Sequence, residues 1–145
     1  MATTRQNILE TIKTDLEGII DTETHEAVFK YVSIARIPPT ELDTVPLPAC
    51  FIYSESEKRI TDQRAVMGRE TWEWIVVLEV WALDKDLENL LEYIHETLYA
   101  DYRFGNYAQG SHREGVDFFT IDTTMRTEGM VIPYNIQYCH VAGVM

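Results

Sequence analysis

The sequence predicts an α+β fold, a mostly antiparallel mixed sheet covered by two main helices at about residues 4–20 and 86–100. Two segments repeat apolar residues at helical spacing, and several others are rich in β-branched and aromatic residues. Their order is helix, strand, strand, long strand, helix, strand, strand, which favours hairpins over a doubly wound parallel sheet. A chain of 145 residues is the size of one domain, so we expect a single domain over residues 1–145.

The two helices are predicted from their caps and their apolar stripes. Thr3 and Gln6 have the spacing of a capping box at the start of the first helix. Asp84 or Asp86 is placed to cap the second helix. The stripe of the first helix is formed by Ile8, Leu9, Ile12, Leu16, Ile19 and Ile20. The stripe of the second is formed by Leu87, Leu90, Leu91, Ile94 and Leu98.

The strands are predicted from β-branched and aromatic content and from alternation. Residues 27–35 form a short strand, and the proline-rich stretch 38–48 is an extended connection to a strand at Ala49–Ser54. The strongest signal is 70–83, whose residues alternate between two faces. One face carries Trp72, Trp74, Val76, Leu78 and Val80, and the other carries Glu73, Val77, Glu79 and Trp81.

The C-terminal third is predicted to be a loop followed by a hairpin. Gly105, Gly110 and Gly115 indicate a flexible loop. Strands at 116–127 and 130–141 follow, with Glu128–Gly129 as the turn between them. Pro133 restricts the last strand to an edge or a bulge, because proline has no N–H to donate.

Composition excludes several classes of protein. The net charge of −12 disfavours binding of nucleic acid in a groove, although an acidic surface suits DNA that slides past. The longest apolar run, Trp74 to Leu78, is too short for a membrane span, and residues 1–20 lack the apolar core of a signal peptide. We therefore expect a cytosolic protein when it is made, and Cys50 and Cys139 to be reduced core thiols.

The sequence contains no pattern typical of a catalytic or metal site. It has no phosphate-binding glycine loop, nucleophile elbow or metal-spaced histidine pair. Cys50, Cys139 and His140 lack the spacing of a zinc site. We predict no catalytic residue, cofactor or metal, and therefore no enzyme.

Charge is distributed unevenly along the chain and predicts an interface between subunits. The segment from Lys58 to Arg69 has a net charge of +3, and the segment from Glu79 to Asp101 has −6. These are either solvated surfaces or two patches that meet in a heterologous contact between subunits. The candidate interface residues are Lys58, Arg59, Arg64, Arg69, Glu88, Glu92, Glu96 and, from the glycine-rich loop, Arg113.

Three stretches resemble a known family of proteins. They are the proline-bounded strand Pro46–Tyr53, the long strand and helix Trp72–Leu98 with its exit at Leu98–Gly105, and the closing strand Met130–Tyr138. Together they are similar to the lambda-type tail terminator proteins, also called minor tail or tail-completion proteins, of long-tailed bacteriophages.

The resemblance implies a structural role in the virion. Such proteins form a homohexameric ring on the finished tail tube, stop its polymerisation and present the surface for joining the head. The implied partners are further copies of the chain, the tail tube protein and a head-completion or connector protein. DNA is only passing cargo through the lumen, and no membrane is involved. The implied location is the head-proximal end of the tail, after assembly in the host cytoplasm.

Two alternatives remain open. One is a small α+β dimer that binds a small molecule, or an enzyme built on it, with a cavity lined by Trp72, Trp74, Tyr53 and His95. The other is a different phage neck or connector protein.

Overall fold

The computed structural model describes residues 3–35, 38, 40, 45–59, 69–83, 86–124 and 126–141, with the backbone alone for residues 59, 69, 70, 140 and 141. Two helices and six strands form a mixed sheet with helices on one face, which confirms the predicted α+β fold. The elements are α1 (Thr4–Glu17), β1 (Tyr31–Ser33), β2 (Ala49–Arg59), β3 (Arg69–Leu83), α2 (Leu87–Ala100), β4 (Gly110–Arg113), β5 (Asp117–Asp122) and β6 (Thr127–Val141).

The centre of the sheet is the antiparallel pair β3–β6. Every residue of β3 has a partner in β6, from Arg69 opposite Val141 to Leu83 opposite Thr127. β2 pairs antiparallel with the other side of β3, and β1 pairs parallel with the start of β2. On the far side of β6, β4 and β5 pair with successive segments of that one strand.

The first helix begins at the predicted cap. The Thr3 hydroxyl accepts a hydrogen bond from the Gln6 N–H at 3.1 Å, and the Gln6 side chain accepts one from the Thr3 N–H at 2.8 Å. The helix ends at Glu17 rather than near residue 20, because Gly18 caps it and the chain then turns away. Ile20 pairs instead with Ala27 in an isolated bridge.

The second helix starts one residue later than predicted. Asp86 occupies its N-cap position, but the Asp86 side chain makes no capping hydrogen bond.

The apolar stripes of both helices pack on the even-numbered face of β3, as the alternation predicts. Their buried residues are Ile8, Ile12, Leu16, Leu87, Leu90, Ile94 and Leu98, which join Trp74, Val76, Leu78, Val80 and Ala82 in one core. Within the described residues, no helix is long and apolar enough to cross a membrane.

The opposite face of the sheet has a smaller aromatic cluster around a buried carboxylate. The rings of Phe51 and Trp81 lie 4.6 Å apart. Glu79 is 1% exposed, and its carboxylate accepts hydrogen bonds from the Trp81 indole at 2.7 Å and the Tyr53 hydroxyl at 3.0 Å. These donors offset the cost of burying a charged group.

The turn of the last hairpin lies elsewhere than predicted. It falls between Asp122 and Thr127, and Gly129 lies inside β6 opposite Phe119. A Cβ atom at Gly129 would lie 2.3 Å from the Phe119 ring. Gly129 therefore leaves room for the Phe119 ring to lie against β6. Aromatic rings cover glycine in this way in other sheets.

Pro133 lies in an interior strand rather than at an edge. The Glu114 N–H donates to the Pro133 carbonyl at 2.8 Å, so the missing N–H of Pro133 also faces the β4–β5 side. There the register shifts by one, from Arg113 opposite Tyr134 to Asp117 opposite Val131. β6 keeps its register with β3 through Pro133, so the structure shows neither the predicted edge position nor the predicted bulge. The proline is tolerated because it lies at the break between β4 and β5.

Two other segments differ from their predicted structure. Residues 110–113, predicted as loop, form β4, because their backbone pairs with β6. The strand predicted at 27–35 is reduced to Tyr31–Ser33, whereas β2 continues beyond Ser54 to Arg59, with a bulge between Ser54 and Ser56.

A pair of acidic side chains lies where α1 meets the end of α2. Asp15 of α1 is half-buried, and its neighbour Asp101 follows α2. Burial and the interaction with the acidic side chain of Asp101 together raise the pKa of Asp15 to about 7. The protonated form of Asp15 is therefore favoured in the folded state.

We expect Gly129→Ala to lower the free energy of unfolding by about 1–3 kcal/mol, because the new methyl group overlaps the Phe119 ring. Gly115→Ala is the matched control, since no atom lies within 4 Å of its Cβ position. The measurement is urea denaturation of each variant. In a protein that already carries Phe119→Ala, the Gly129→Ala substitution should lose most of its destabilising effect. If Gly129→Ala and Gly115→Ala lowered the free energy of unfolding equally, the packing argument would be contradicted.

We expect Asp15→Asn to raise the melting temperature by a larger amount at pH 8 than at pH 5. The raised pKa means that protonated Asp15 stabilises the fold at low pH, and that this contribution is lost as pH rises from about 4 to about 7. Asparagine remains neutral throughout. Glu17→Gln, exposed on the same helix, is the charge-matched control. Calorimetry at both pH values tests this, and an equal gain at each pH would refute it.

Candidate subunit interface

The predicted acidic residues lie together on the outer face of α2. Glu88, Glu92 and Glu96 are four residues apart, all exposed, and on the side of the helix opposite its buried leucines. Side chains at this spacing are neighbours on a helix, and like charges there repel one another. This face of α2 is therefore a strip of negative charge.

The structure adds a second acidic wall that the sequence did not predict. Residues 21–28, which connect α1 to β1, face α2 across an open cleft of about 580 Å³. Its lining includes the carboxylates of Asp21, Glu23, Glu26, Asp86, Glu92 and Glu96. The cleft is lined at its base by apolar groups of Val28, Pro48, Leu90 and Tyr93, and in the described part of the chain no Lys or Arg lines it.

The connection that forms this wall is held in a defined shape. The Asp21 carboxylate accepts hydrogen bonds from the N–H groups of Glu23 at 2.7 Å and Thr24 at 3.2 Å. Two backbone hydrogen bonds of 2.9 Å close the segment, from Asp21 to Glu26 and from Val28 to Ile19. The cleft is therefore formed before any partner binds.

Exposed aromatic rings occur in the last turn of α2 and in the segment that follows it. Tyr99 is 74% exposed, Tyr102 50% and Tyr107 45%. The His95 ring lies 6.1 Å from the Tyr99 ring. Tyrosine is a frequent anchor in protein interfaces, and its ring face attracts cations.

The basic residues lie at the far end of the β2–β3 hairpin. The Lys58 ammonium is 3.3 Å from the Glu73 carboxylate, yet the Lys58 side chain remains 77% exposed. The backbone of Arg59 pairs with Trp72 and that of Arg69 with Val141. Arg64 lies outside the described residues. The structure thus brings Lys58, Arg59 and Arg69 to one end of the sheet.

Lys58 and the start of α2 are separated within one molecule. Lys58 lies opposite Glu73, and α2 starts beyond Leu83, ten residues further along β3. At about 3.3 Å per residue this is roughly 30 Å between Lys58 and the start of α2. Lys58 and Glu88 therefore cannot neutralise each other in the same molecule.

Arg113 belongs to neither patch. It is exposed at the end of β4, opposite Tyr134. Burial raises the pKa of Tyr134 to about 12, and the nearby positive charge of Arg113 opposes that rise. The structure therefore places Arg113 on the β4 edge of the sheet.

The residues predicted to line a ligand cavity do not share one. Trp74 is buried under the helices and donates its indole N–H to Ser54 at 2.7 Å. Tyr53 lies on the other face of the sheet beside Glu79, and His95 is exposed on α2. That prediction is wrong, because strand alternation separates Tyr53 from Trp74.

The candidate zinc ligands are also apart. Cys50 is buried in the core beneath the helices, and Cys139 is half-buried; both thiols are free. Its position in β6 puts Cys139 on the opposite face from Cys50, since the core takes the even-numbered residues of that strand. Within the described residues, no group of three potential ligands is placed to hold a metal ion.

Comparison with known proteins shows a likeness in fold. No family model matches the chain, and no curated protein matches it either. Among solved structures, the chain is similar to one from "Virion of native gene transfer agent (GTA) particle", with a TM-score of 0.51 and 10% sequence identity. The alignment covers 97% of this chain and 100% of that one, so the two share a fold over nearly their whole length.

Proposed function

We propose that the chain is a structural protein of a phage-type virion. It assembles as a ring on the head-proximal end of the tail tube, ends tube polymerisation and forms the surface that joins the head. It is not an enzyme, and it binds no cofactor. It acts after assembly in the host cytoplasm.

The observation that carries this proposal is the likeness in fold to a chain of the gene transfer agent virion. The likeness covers 97% of this chain and 100% of that one, so the two share more than a common small motif. Fold alone does not specify function, and at 10% identity the likeness supports a virion component in general. The tail terminator role is supported in addition by the resemblance of Pro46–Tyr53, Trp72–Gly105 and Met130–Tyr138 to that family.

Charge supports the ring and the passage of DNA. A subunit with an acidic helix face and a basic hairpin end has two different complementary surfaces, which is what a heterologous ring requires. The net charge of −12 suits a lumen that DNA crosses without binding, because phosphate is repelled by carboxylates. The proposed partners are therefore other copies, the tail tube protein and a head-completion or connector protein.

A different neck or connector role is an alternative within the virion. It shares the virion location and the ring, and differs in which virion protein the ring contacts. The binding experiment below separates the two roles.

We expect the purified chain to form a sixfold ring that caps tail tubes. Native mass spectrometry over a wide concentration range, with negative-stain imaging, measures the assembly. The chain is then added to polymerising tube protein, and tube length is measured with and without it. Capped ends and arrested growth are expected.

Three results would contradict this. A persistent dimer with no effect on tubes would exclude the ring. A ring that binds connector protein but leaves tube growth unchanged would assign a neck role instead. Tubes that grow to the same length with and without the chain would exclude termination.

A further inference from the structure

We propose that the acidic face of α2 and its cleft receive the basic end of the β2–β3 hairpin of a second copy, joined head to tail. The acceptor surface consists of Glu92, Glu96, Tyr99 and the wall at residues 21–28. The donor surface consists of Lys58, Arg59 and Arg69. This inference rests on the proposed ring and names the contact that builds it.

The acceptor surface has the chemistry of a site for ammonium and guanidinium groups. Its cleft places six carboxylates around an apolar base, and the described lining includes no cation. An ammonium or guanidinium group that enters the cleft is attracted by these carboxylates. The exposed ring of Tyr99 continues the strip with a face that attracts guanidinium.

Charge and position favour a second copy of this chain as the source of the donor surface. The hairpin end carries three basic residues, and the segment from Lys58 to Arg69 has a net charge of +3. The single described ion pair there, between Lys58 and Glu73, leaves Lys58 largely exposed. The start of α2 lies roughly 30 Å from Lys58, so Lys58 reaches Glu88 only in another molecule.

This geometry gives each copy one donor and one acceptor at different places. Two different patches make a heterologous contact, which repeats from copy to copy and closes into a ring when the rotation permits. A contact of this kind is weakened by salt, because salt screens the attraction between exposed charges such as Lys58, Glu92 and Glu96.

The test uses two charge-reversal variants of the full chain. The acceptor variant carries Glu92→Lys and Glu96→Lys, and the donor variant carries Lys58→Glu and Arg59→Glu. Each alone should raise the concentration for half-maximal assembly by at least about tenfold, since like charges then face each other. Glu10→Lys with Glu17→Lys is the control for the acceptor variant, because it makes the same charge change on exposed positions of α1.

Mixing the two variants makes the test specific. The unchanged basic hairpin of the acceptor variant fits the unchanged acidic face of the donor variant, and the two reversed surfaces fit each other. An equimolar mixture should therefore form rings in which the variants alternate. Native mass spectrometry resolves their mass difference, so only species with equal numbers of each are expected. Circular dichroism of each variant checks that the fold is retained.

Four other outcomes would contradict the inference, and each leads to a different conclusion. If both variants assemble like the unmodified chain, the contact is wrong and the ring stands. If both fail and the mixture also fails, the two surfaces do not pair. If rings persist in the acceptor variant but no longer bind tubes, the acidic face belongs to the tube protein. If the unmodified chain forms no ring even on tubes, the proposed function falls, and this contact falls with it.

Discussion

The full-length pairing of β3 with β6 is the constraint on which the rest of the structure depends. All fifteen residues of β3 are matched in β6, although two other strands and a helix lie between them in sequence. Closing so long a connection costs chain entropy, which the ladder and the burial on its faces must offset. β2 then attaches to one side of this pair, and β4 and β5 to the other.

The β3–β6 pair has two different faces. One face is covered by the helices, and the other is more polar. Trp74, Val76 and Leu78 point under both helices, and the alternating residues Val77, Glu79 and Trp81 point away from them. The helices thus turn their charged sides outward, which forms the acidic strip of α2. The length of β3 separates the start of that strip from the hairpin end.

The sequence was sufficient to predict the elements in which the spacing of apolar residues identifies the buried face. α1, α2 and β3 have clear periodicity because each buries one face, and their predicted bounds are within a few residues of the observed ones. Gly129 misled the turn prediction because glycine in a strand and glycine in a turn have the same local signal. Only its contact with Phe119 across the hairpin distinguishes them.

The candidate site was predicted in part for the same reason. Glu92 and Glu96 share a helix face by their spacing, so the sequence was sufficient to place them together. Asp21, Glu23 and Glu26 join them only through the tertiary position of the α1–β1 connection. The sequence does show three acidic residues within six positions after the end of α1. It does not show that they lie across a cleft from α2, because that depends on tertiary structure.

The short length of β1 leaves most of β2 as an edge of the sheet. β1 pairs only with Ala49–Phe51, and within the described residues no strand pairs with that side of β2 beyond Phe51. Such an edge is a template for uncontrolled strand addition, and natural proteins disrupt it with bulges and charges. The bulge at Ser54–Ser56, together with Glu55, Glu57 and Lys58, does so here. These features protect the exposed part of β2 from pairing with a strand of another molecule.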